Sequence, residues 1–274
     1  MIRLLASRPQ LRRPPQPLVN LGCGRRRHPD WTNCDLIPDA SDVLAVDVRQ
    51  KLPFDSETCD AVYASHVLEH LAATDARRLV AEIFRVLRPG GVVRIVVPDL
   101  EGIARAYLTS LDRAATSRSD QSRDEHRWMT IELLDQLVRD TSGGLMRRFW
   151  SCDPVPCREF VVDRLGEEAS AGMAAVTAAR ESAGRNPLDP DTIFDAEPAT
   201  PRAAARFAGS GERHRWMYDR VSLASLLEET GFREVFQTEA ATSRIAGFVD
   251  AGLDTDTTGC PRKPDSLYVE GVRS

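Results

Sequence analysis

The sequence predicts a doubly wound α/β fold, and three observations carry that prediction. Five short apolar runs lie at 18–21, 31–36, 42–48, 59–65 and 91–99. Most of them are continuous rather than alternating, as expected for parallel strands that are buried on both faces. An amphipathic helix separates the fourth run from the fifth, and a second helix near 219–231 is followed by two more strand-like runs. Strands and helices in this order predict one mostly parallel sheet.

Composition limits the class of protein. The chain has 274 residues, 42% of them hydrophobic, which is enough for one sizeable core or one domain with a large insertion. The net charge of -5 argues against a general binder of nucleic acid or anionic membranes. No apolar run reaches the roughly 18 residues that a membrane span needs. Six cysteines without a CxxC pair are typical of reduced thiols, so a cytoplasmic location is expected.

A glycine turn follows the first apolar run. In "LVNLGCG", Gly22 and Gly24 allow a tight turn and a close approach of the backbone to a ligand. Asp35 ends the second run and Asp47 ends the third. Carboxyl ends of parallel strands are where ligands bind in such sheets. A GxG pair alone would also suit an ordinary turn, so the rest of the chain has to decide.

Five motifs occur in one order along the chain: "NLGCG", "WTNCDL", "DVRQKLPFDSETCDAVYASHVLEHL", "VLRPGGVVRIVVPDL" and "HRWMYDRVSLASLLEETGF". Together they resemble the class I S-adenosylmethionine (SAM)-dependent methyltransferases. The resemblance is greatest to the methyltransferase type 11 group and to predicted methyltransferases associated with glycan biosynthesis. It covers 17–100 and 216–273. It implies a Rossmann-like seven-stranded sheet with a helical insertion after the fifth strand, and SAM as the cofactor.

The resemblance also divides the chain into four parts. Residues 1–16 are expected to be a disordered, proline-rich tail, and 17–100 the cofactor-binding part of the core. Residues 101–215 are expected to form a helical insertion that acts as a lid for the acceptor, with a flexible stretch near 184–202 that holds four prolines. Residues 216–274 complete the core.

The cofactor site follows from the resemblance. Asp35 is expected to accept hydrogen bonds from the ribose hydroxyls, and Asp47 from the adenine amino group while the backbone N–H of Val48 meets the ring. Asn20 stands where the family usually has an acid. Only six residues separate Gly24 from Trp31, so the usual first helix is expected to be very short or missing. The full predicted set is Asn20, Gly22, Cys23, Gly24, Asp35, Leu36, Asp47, Val48, Ser65 and His66.

The segment "HVLEH", 66–70, has more than one interpretation. It matches an H-x-x-E-H zinc-protease pattern, but that scaffold does not follow a fourth parallel strand. Relatives often have an acid, two apolar residues and Glu-His here, and some of them bind a divalent metal. With His66 in place of the acid, no metal is expected. His66 is predicted either to be the general base that faces the acceptor or to contact the sheet, and Glu69 and His70 to be structural hydrogen-bonders.

The segment "ERHRWMYD", 212–219, provides the second candidate base, His214. The alternative is that Trp216 and Tyr218 simply pack the insertion onto the sheet. His126 is a weaker third candidate, and Asp99, at the end of the fifth strand, is expected to contact acceptor or cofactor.

By analogy with the group it resembles, the chain is expected to methylate a hydroxyl of a sugar, glycan or small metabolite. Two alternatives stay open: a SAM-binding accessory protein without catalysis, and a methyltransferase that acts on a protein or lipid. The expected partner is a small-molecule or saccharide acceptor, with no nucleic acid and no membrane span, and a homodimer is left open.

Overall fold

A seven-stranded sheet forms the core of the protein, seen in a computed structural model that describes residues 17–274. The tail predicted at 1–16 lies outside the described residues. The strands are β1 (Leu18–Leu21), β2 (Trp31–Asp35), β3 (Val43–Ala45), β4 (Cys59–Ser65), β5 (Leu87–Pro98), β6 (Phe232–Thr238) and β7 (Ser266–Arg273). Their order across the sheet is β3-β2-β1-β4-β5-β7-β6. Only β7 runs against the others, because it pairs antiparallel with both β5 and β6. The predicted α/β fold class is confirmed.

Eight α-helices surround or extend this sheet in the described part of the chain. They are α1 (Ala73–Val86), α2 (Leu100–Ser117), α3 (Asp120–Val138), α4 (Gly144–Trp150), α5 (Arg158–Leu165), α6 (Glu167–Ser182), α7 (Pro201–Ala208) and α8 (Arg220–Thr230). Helices α2 to α7 follow β5, where the insertion is predicted. Within 17–274, no helix is long and apolar enough to cross a membrane.

The two faces of the sheet are covered differently. On one face, α1 buries Leu79, Val80 and Ile83 in the same cluster as Leu223 and Leu227 of α8. On the other face, an irregular connector, residues 239–265, takes the place of a helix. Its Phe248 packs edge-on against Trp31 and Tyr63, with ring centroids 5.8 and 5.1 Å away.

The insertion has a core of its own. Trp128, Met129, Phe149 and Val161 are fully buried there in a separate apolar cluster. In the predicted flexible stretch, Ile193 is also fully buried, so this stretch packs onto the insertion at that point. The domain boundaries given above stay a prediction.

The segment after α1 differs from the sequence-based expectation. The fifth apolar run predicts a strand at 91–99, but the helix ends at Val86 and β5 already begins at Leu87, before the "RPGG" segment. Cys59 pairs with Leu87 and Ala61 with Val92, so the register shifts across this segment. Gly90 has a φ of 78°, which only glycine adopts without strain. The segment is therefore an irregular start of the strand. In contrast, the expectation of no helix between β1 and β2 is confirmed.

A buried ion network fixes the connector to the sheet. Arg94, fully buried at the middle of β5, donates to Asp254 Oδ2 (2.7 Å) and Glu270 Oε1 (2.8 Å). It also donates to the carbonyl oxygens of Thr242 and Glu239. Asp254 accepts a further 2.5 Å hydrogen bond from the Tyr63 hydroxyl. Burial raises the pKa of Asp254 and outweighs the opposing effect of Arg94, so this guanidinium is needed to keep the carboxylate charged.

We expect Arg94→Met to lower the free energy of unfolding by about 3–5 kcal/mol, because the change leaves two buried carboxylates without their cation. Urea unfolding followed by circular dichroism measures this. Arg105→Met is the matched control, since its side chain is 74% exposed in an i,i+4 pair with Glu101 and such pairs contribute about 0.5 kcal/mol. Equal, small effects of the two changes would show that the network does not hold the connector.

Candidate active site

The glycine turn after β1 lies at the centre of the site. Gly22 has a φ of 65°, and a Cβ there would lie 2.4 Å from Cγ2 of Val67. Glycine is therefore required at this position for both backbone and space. Gly24 has a φ of 48°, and a Cβ there would meet no atom within 4 Å. Open space remains above the second glycine, as a ligand that approaches the backbone needs.

Two cavities meet at this turn. One, of about 590 Å³, is lined by Asp35, Asp47 and their neighbours and is called the Asp35 cavity. The other, of about 610 Å³, is lined by Asn20, Ser65 and Tyr268 among others and is called the Tyr268 cavity. Gly22, His66 and His70 line both. Each of the ten predicted cofactor residues lies on the wall of at least one cavity, so the fold brings the whole set together, and their individual roles stay predictions.

Asp35 is held at the mouth of its cavity by the backbone. Its Oδ2 accepts from the N–H of Gly24 at 2.9 Å, and its Oδ1 from the N–H of Ile37 at 3.1 Å. Each oxygen keeps a second lone pair for a ligand. Beside it, Leu36 and Ile37 are 51% and 76% exposed. A fixed carboxylate beside exposed apolar side chains suits a nucleoside, because the carboxylate can bind ribose hydroxyls and the apolar side chains can contact the flat base.

Asp47 is paired with Arg49. The guanidinium donates from Nε to Oδ1 at 2.8 Å and from Nη2 to Oδ2 at 2.9 Å. These hydrogen bonds lower the pKa of Asp47, so the carboxylate stays ionised and can still accept from an amino group. Sequence reasoning missed Arg49, although its spacing of two from the acid is visible in the chain.

Asn20, which stands where the family usually has an acid, forms hydrogen bonds within the protein. Its Nδ2 donates to the carbonyl of Arg26 at 2.8 Å and to Oδ1 of Asn33 at 3.1 Å. Asn33, its register partner on β2, in turn donates to the carbonyl of His28 at 3.0 Å. This asparagine pair holds the turn 22–30 in the absence of the usual helix.

His66 lies at the junction of the two cavities in a strained conformation. Its φ of 54° is uncommon for a residue other than glycine, and such outliers often mark functional positions. Its Nε2 is 3.0 Å from Oγ of Ser266, and its Nδ1 is 3.2 Å from Oε1 of Glu69. Ser266 was not foreseen, because it lies on β7 and only the folded sheet brings it to His66.

Glu69 is fully buried beneath these imidazoles. Burial alone would raise its pKa, but His66 first, and then His70 and His214, lower it to about 2. Its backbone carbonyl accepts from the N–H groups of Arg215 (2.6 Å) and Trp216 (3.2 Å). The segment that follows the insertion is therefore fixed directly onto the turn that carries His66.

His214, the second predicted base, is behind the cavity walls. It is buried, and its ring packs edge-on against His70 with centroids 4.8 Å apart. Burial lowers the pKa of His214 to about 3, and the residue lines neither cavity. Its role as a base stays a prediction. Trp216 is 56% exposed and Tyr218 is buried, so only Tyr218 packs fully against the core.

The remaining candidates lie away from the junction. His126, in α3, packs against Tyr107 of α2 with ring centroids 5.5 Å apart and ring planes tilted by 38°. Asp99 accepts from the backbone N–H of Glu101 and caps α2. Neither residue lines one of the two cavities.

The insertion and the connector supply the far wall of the Tyr268 cavity. Glu167 of α6 pairs with Arg262 of the connector at 2.7 Å and also with Arg26 of the glycine turn. Glu168 pairs with Lys263 at 2.8 Å. The charged groups of this wall thus neutralise one another across three segments of the chain.

The comparisons with known proteins agree with this geometry. Residues 20–95 match the family model described as a methyltransferase domain, Methyltransf_11. No curated protein matches the chain significantly.

Solved methyltransferase structures are similar to the chain at low identity. A SAM-dependent methyltransferase of Thermotoga maritima is 12% identical with a TM-score of 0.41, over 96% of this chain and 84% of that one. One from Mesorhizobium loti is 15% identical with a TM-score of 0.36, over 94% and 91%. A Burkholderia thailandensis N1-methyltransferase with bound S-adenosylhomocysteine is 22% identical with a TM-score of 0.26, over 31% and 46%.

The glycine turn, the acids after β2 and β3 and the family match over the same segment agree. Residues 20–95 therefore carry a methyltransferase domain of the type 11 kind, which supports SAM-dependent methyltransferase activity with S-adenosyl-L-methionine as the cofactor.

Proposed function

We propose that the protein methylates a hydroxyl of a sugar, glycan or small polyhydroxylated metabolite. The observation that carries this proposal is the junction of the two cavities at His66. The Asp35 cavity has the groups that suit adenosine, and the Tyr268 cavity begins where Gly22 and His66 separate it from the first. The acceptor therefore belongs in the Tyr268 cavity.

The wall of the Tyr268 cavity favours a neutral, hydrogen-bonding acceptor. Its acidic and basic side chains are mostly paired with one another, as in Glu167–Arg262 and Glu168–Lys263. An acceptor with a net charge would have to compete with these pairs. The aromatic ring of Tyr268 and the hydroxyl of Ser65 lie on the same wall, which suits the mixed apolar and hydroxylated surface of a sugar.

The chain's own residues account for the proton and for the positioning. SAM supplies a methyl group already activated on sulfur. When bound, SAM would give this methyl group to the acceptor oxygen and leave as S-adenosylhomocysteine. The acceptor proton moves to Nε2 of His66, whose Nδ1 lies 3.2 Å from Oε1 of the buried Glu69. The segments 167–171 and 253–263 line the same cavity and would shield this reaction from water.

A methyl-transfer assay tests the acceptor class. Purified protein with radiolabelled SAM is offered sugar nucleotides, free sugars and glycans, hydroxylated metabolites, and protein and lipid fractions. Transfer to hydroxyl groups of the sugar nucleotides, sugars, glycans or hydroxylated metabolites is expected. Transfer only to protein or lipid, or binding of SAM without any turnover, contradicts the proposal.

We expect Asp35→Asn to weaken SAM binding by about 10- to 100-fold, because a charged acceptor of ribose hydrogen bonds becomes neutral. Calorimetric titration with SAM and S-adenosylhomocysteine measures the Kd. Asp39→Asn is the control, since this acid has a long 3.5 Å pair with Arg27 and lines neither cavity. Equal affinities for the two variants would contradict the placement of the ribose.

We expect His66→Asn to lower kcat by roughly 10²–10⁴-fold while the Kd for SAM changes little, because the variant loses the proton acceptor. Asparagine tolerates a positive φ better than most residues, so the strained backbone of this position is respected. His28→Asn, in the turn before β2, is the control. An unchanged kcat in the His66 variant would exclude this residue as the base.

A further inference from the structure

Three side chains beside the cavity junction form a cluster that the proposed reaction does not fully use. Glu69, His70 and His214 each place one possible ligand atom within 4.8 Å of those of the other two. Glu69 and His70 lie in the turn after β4, whereas His214 lies at the end of the insertion, between α7 and α8. Long-range contacts therefore bring the three donors together.

In the described chain the cluster has no lysine or arginine partner, and several of its buried polar atoms have no hydrogen-bond partner. Glu69 is fully buried, and neither of its carboxylate oxygens has an aligned hydrogen-bond partner in the described chain. Nδ1 of His70 is also buried without one. No lysine or arginine among residues 17–274 pairs with Glu69; its ion-pair contacts there are the imidazoles of His66 and His70. A buried carboxylate in this position is unfavourable unless a cation compensates it.

The surrounding contacts hold the donors in place as the second layer of a metal site does. Nδ1 of His66 is 3.2 Å from one oxygen of Glu69, which leaves the other oxygen free. The backbone N–H of His214 donates to the carbonyl of Gln136 at 3.0 Å, and the next two residues donate to the carbonyl of Glu69. Such outer contacts orient ligands and strengthen metal binding.

We propose that Glu69, His70 and His214 bind one divalent first-row transition ion, with Zn²⁺ as the expected occupant. Two imidazole nitrogens and one carboxylate oxygen are a donor set for zinc and its neighbours, not for Mg²⁺ or Ca²⁺, which prefer oxygen. This departs from the sequence-based expectation of no metal, which considered "HVLEH" without His214. The inference is independent of the identity of the acceptor.

The position of the ion has a structural consequence. Because His70 lines both cavities and His214 lies at the end of the insertion, the ion would join the insertion to the core at the junction. Loss of the ion is therefore expected to weaken the contact between the insertion and the core. It is also expected to leave the buried Glu69 carboxylate without a compensating cation.

Metal content and apo–holo comparison of the full chain test the proposal, with any affinity tag removed. Protein stripped with a chelator is titrated with Zn²⁺, with Co²⁺ as a spectroscopic substitute and with Mg²⁺ for contrast. We expect about one Zn²⁺ per chain by elemental analysis and visible Co²⁺ absorption bands. We also expect a rise in Tm of about 5–10 °C at free Zn²⁺ near one hundred times the Kd. The absence of both the absorption bands and the Tm rise in wild-type protein overturns the proposal.

Variants then locate the ion. Glu69→Gln and His214→Ala are expected to lose the bound zinc, whereas His214→Cys keeps it, because a thiolate replaces one zinc ligand by another. His126→Ala is the control, since Nε2 of His126 is also buried without a partner but lies in the insertion. Zinc bound equally by wild type, Glu69→Gln and His214→Ala would place the ion elsewhere and overturn the assignment. If those two variants fail to fold, the wild-type titration and His214→Cys still decide.

Discussion

The buried carboxylate of Glu69 is the constraint on which the site depends. Its side chain lies among three imidazoles, and its carbonyl receives two backbone N–H groups from the segment that follows the insertion. A charge this deep is stable only if its neighbours are fixed. The turn after β4, the orientation of His66 and the return of the chain from the insertion are therefore determined together. This explains how a junction between two cavities can be well defined although its parts are far apart in sequence.

A second buried charge, on Arg94, fixes the connector wall of the Tyr268 cavity in a similar way. Arg94 holds Asp254 by a 2.7 Å hydrogen bond, and Asp254 also lines the Tyr268 cavity. The connector that carries it has little regular structure, so its position depends on this network and on Phe248 packed against Tyr63. The shape of the Tyr268 cavity is thus tied to a polar contact at the centre of the sheet. Changes at Arg94 should be felt in substrate binding as well as in stability.

Whether the role of a site residue could be predicted from the sequence depends on how far apart in the chain its contacts lie. The glycine turn and the acids at 35 and 47 could be predicted, because their spacing from the strands is local and the strands are visible as apolar runs. Ser266 and Asn33 could not be assigned roles, since each acts through a partner on another strand. The start of β5 was placed four residues late, because Pro89 and Gly90 usually end regular structure, and only the register shift against β4 accommodates them. The sequence indicated His214 as a candidate base. Its position behind His70 could not be predicted, because it depends on tertiary packing.

The two cavities differ in which parts of the chain form them, and this explains why the match to a methyltransferase domain does not name the acceptor. The match to the methyltransferase domain spans 20–95, which includes most of the lining of the Asp35 cavity; residues 208–211 and Arg215 add the rest. The far wall of the Tyr268 cavity comes from α6 and the connector, outside that match. One contact joins the halves: Glu167 of α6 pairs with Arg26 of the glycine turn and with Arg262 of the connector. If cofactor binding orders the glycine turn, Arg26 would transmit this ordering to Glu167 and the far wall of the Tyr268 cavity. The cofactor and the acceptor are therefore expected to influence each other's affinity through the Glu167 carboxylate.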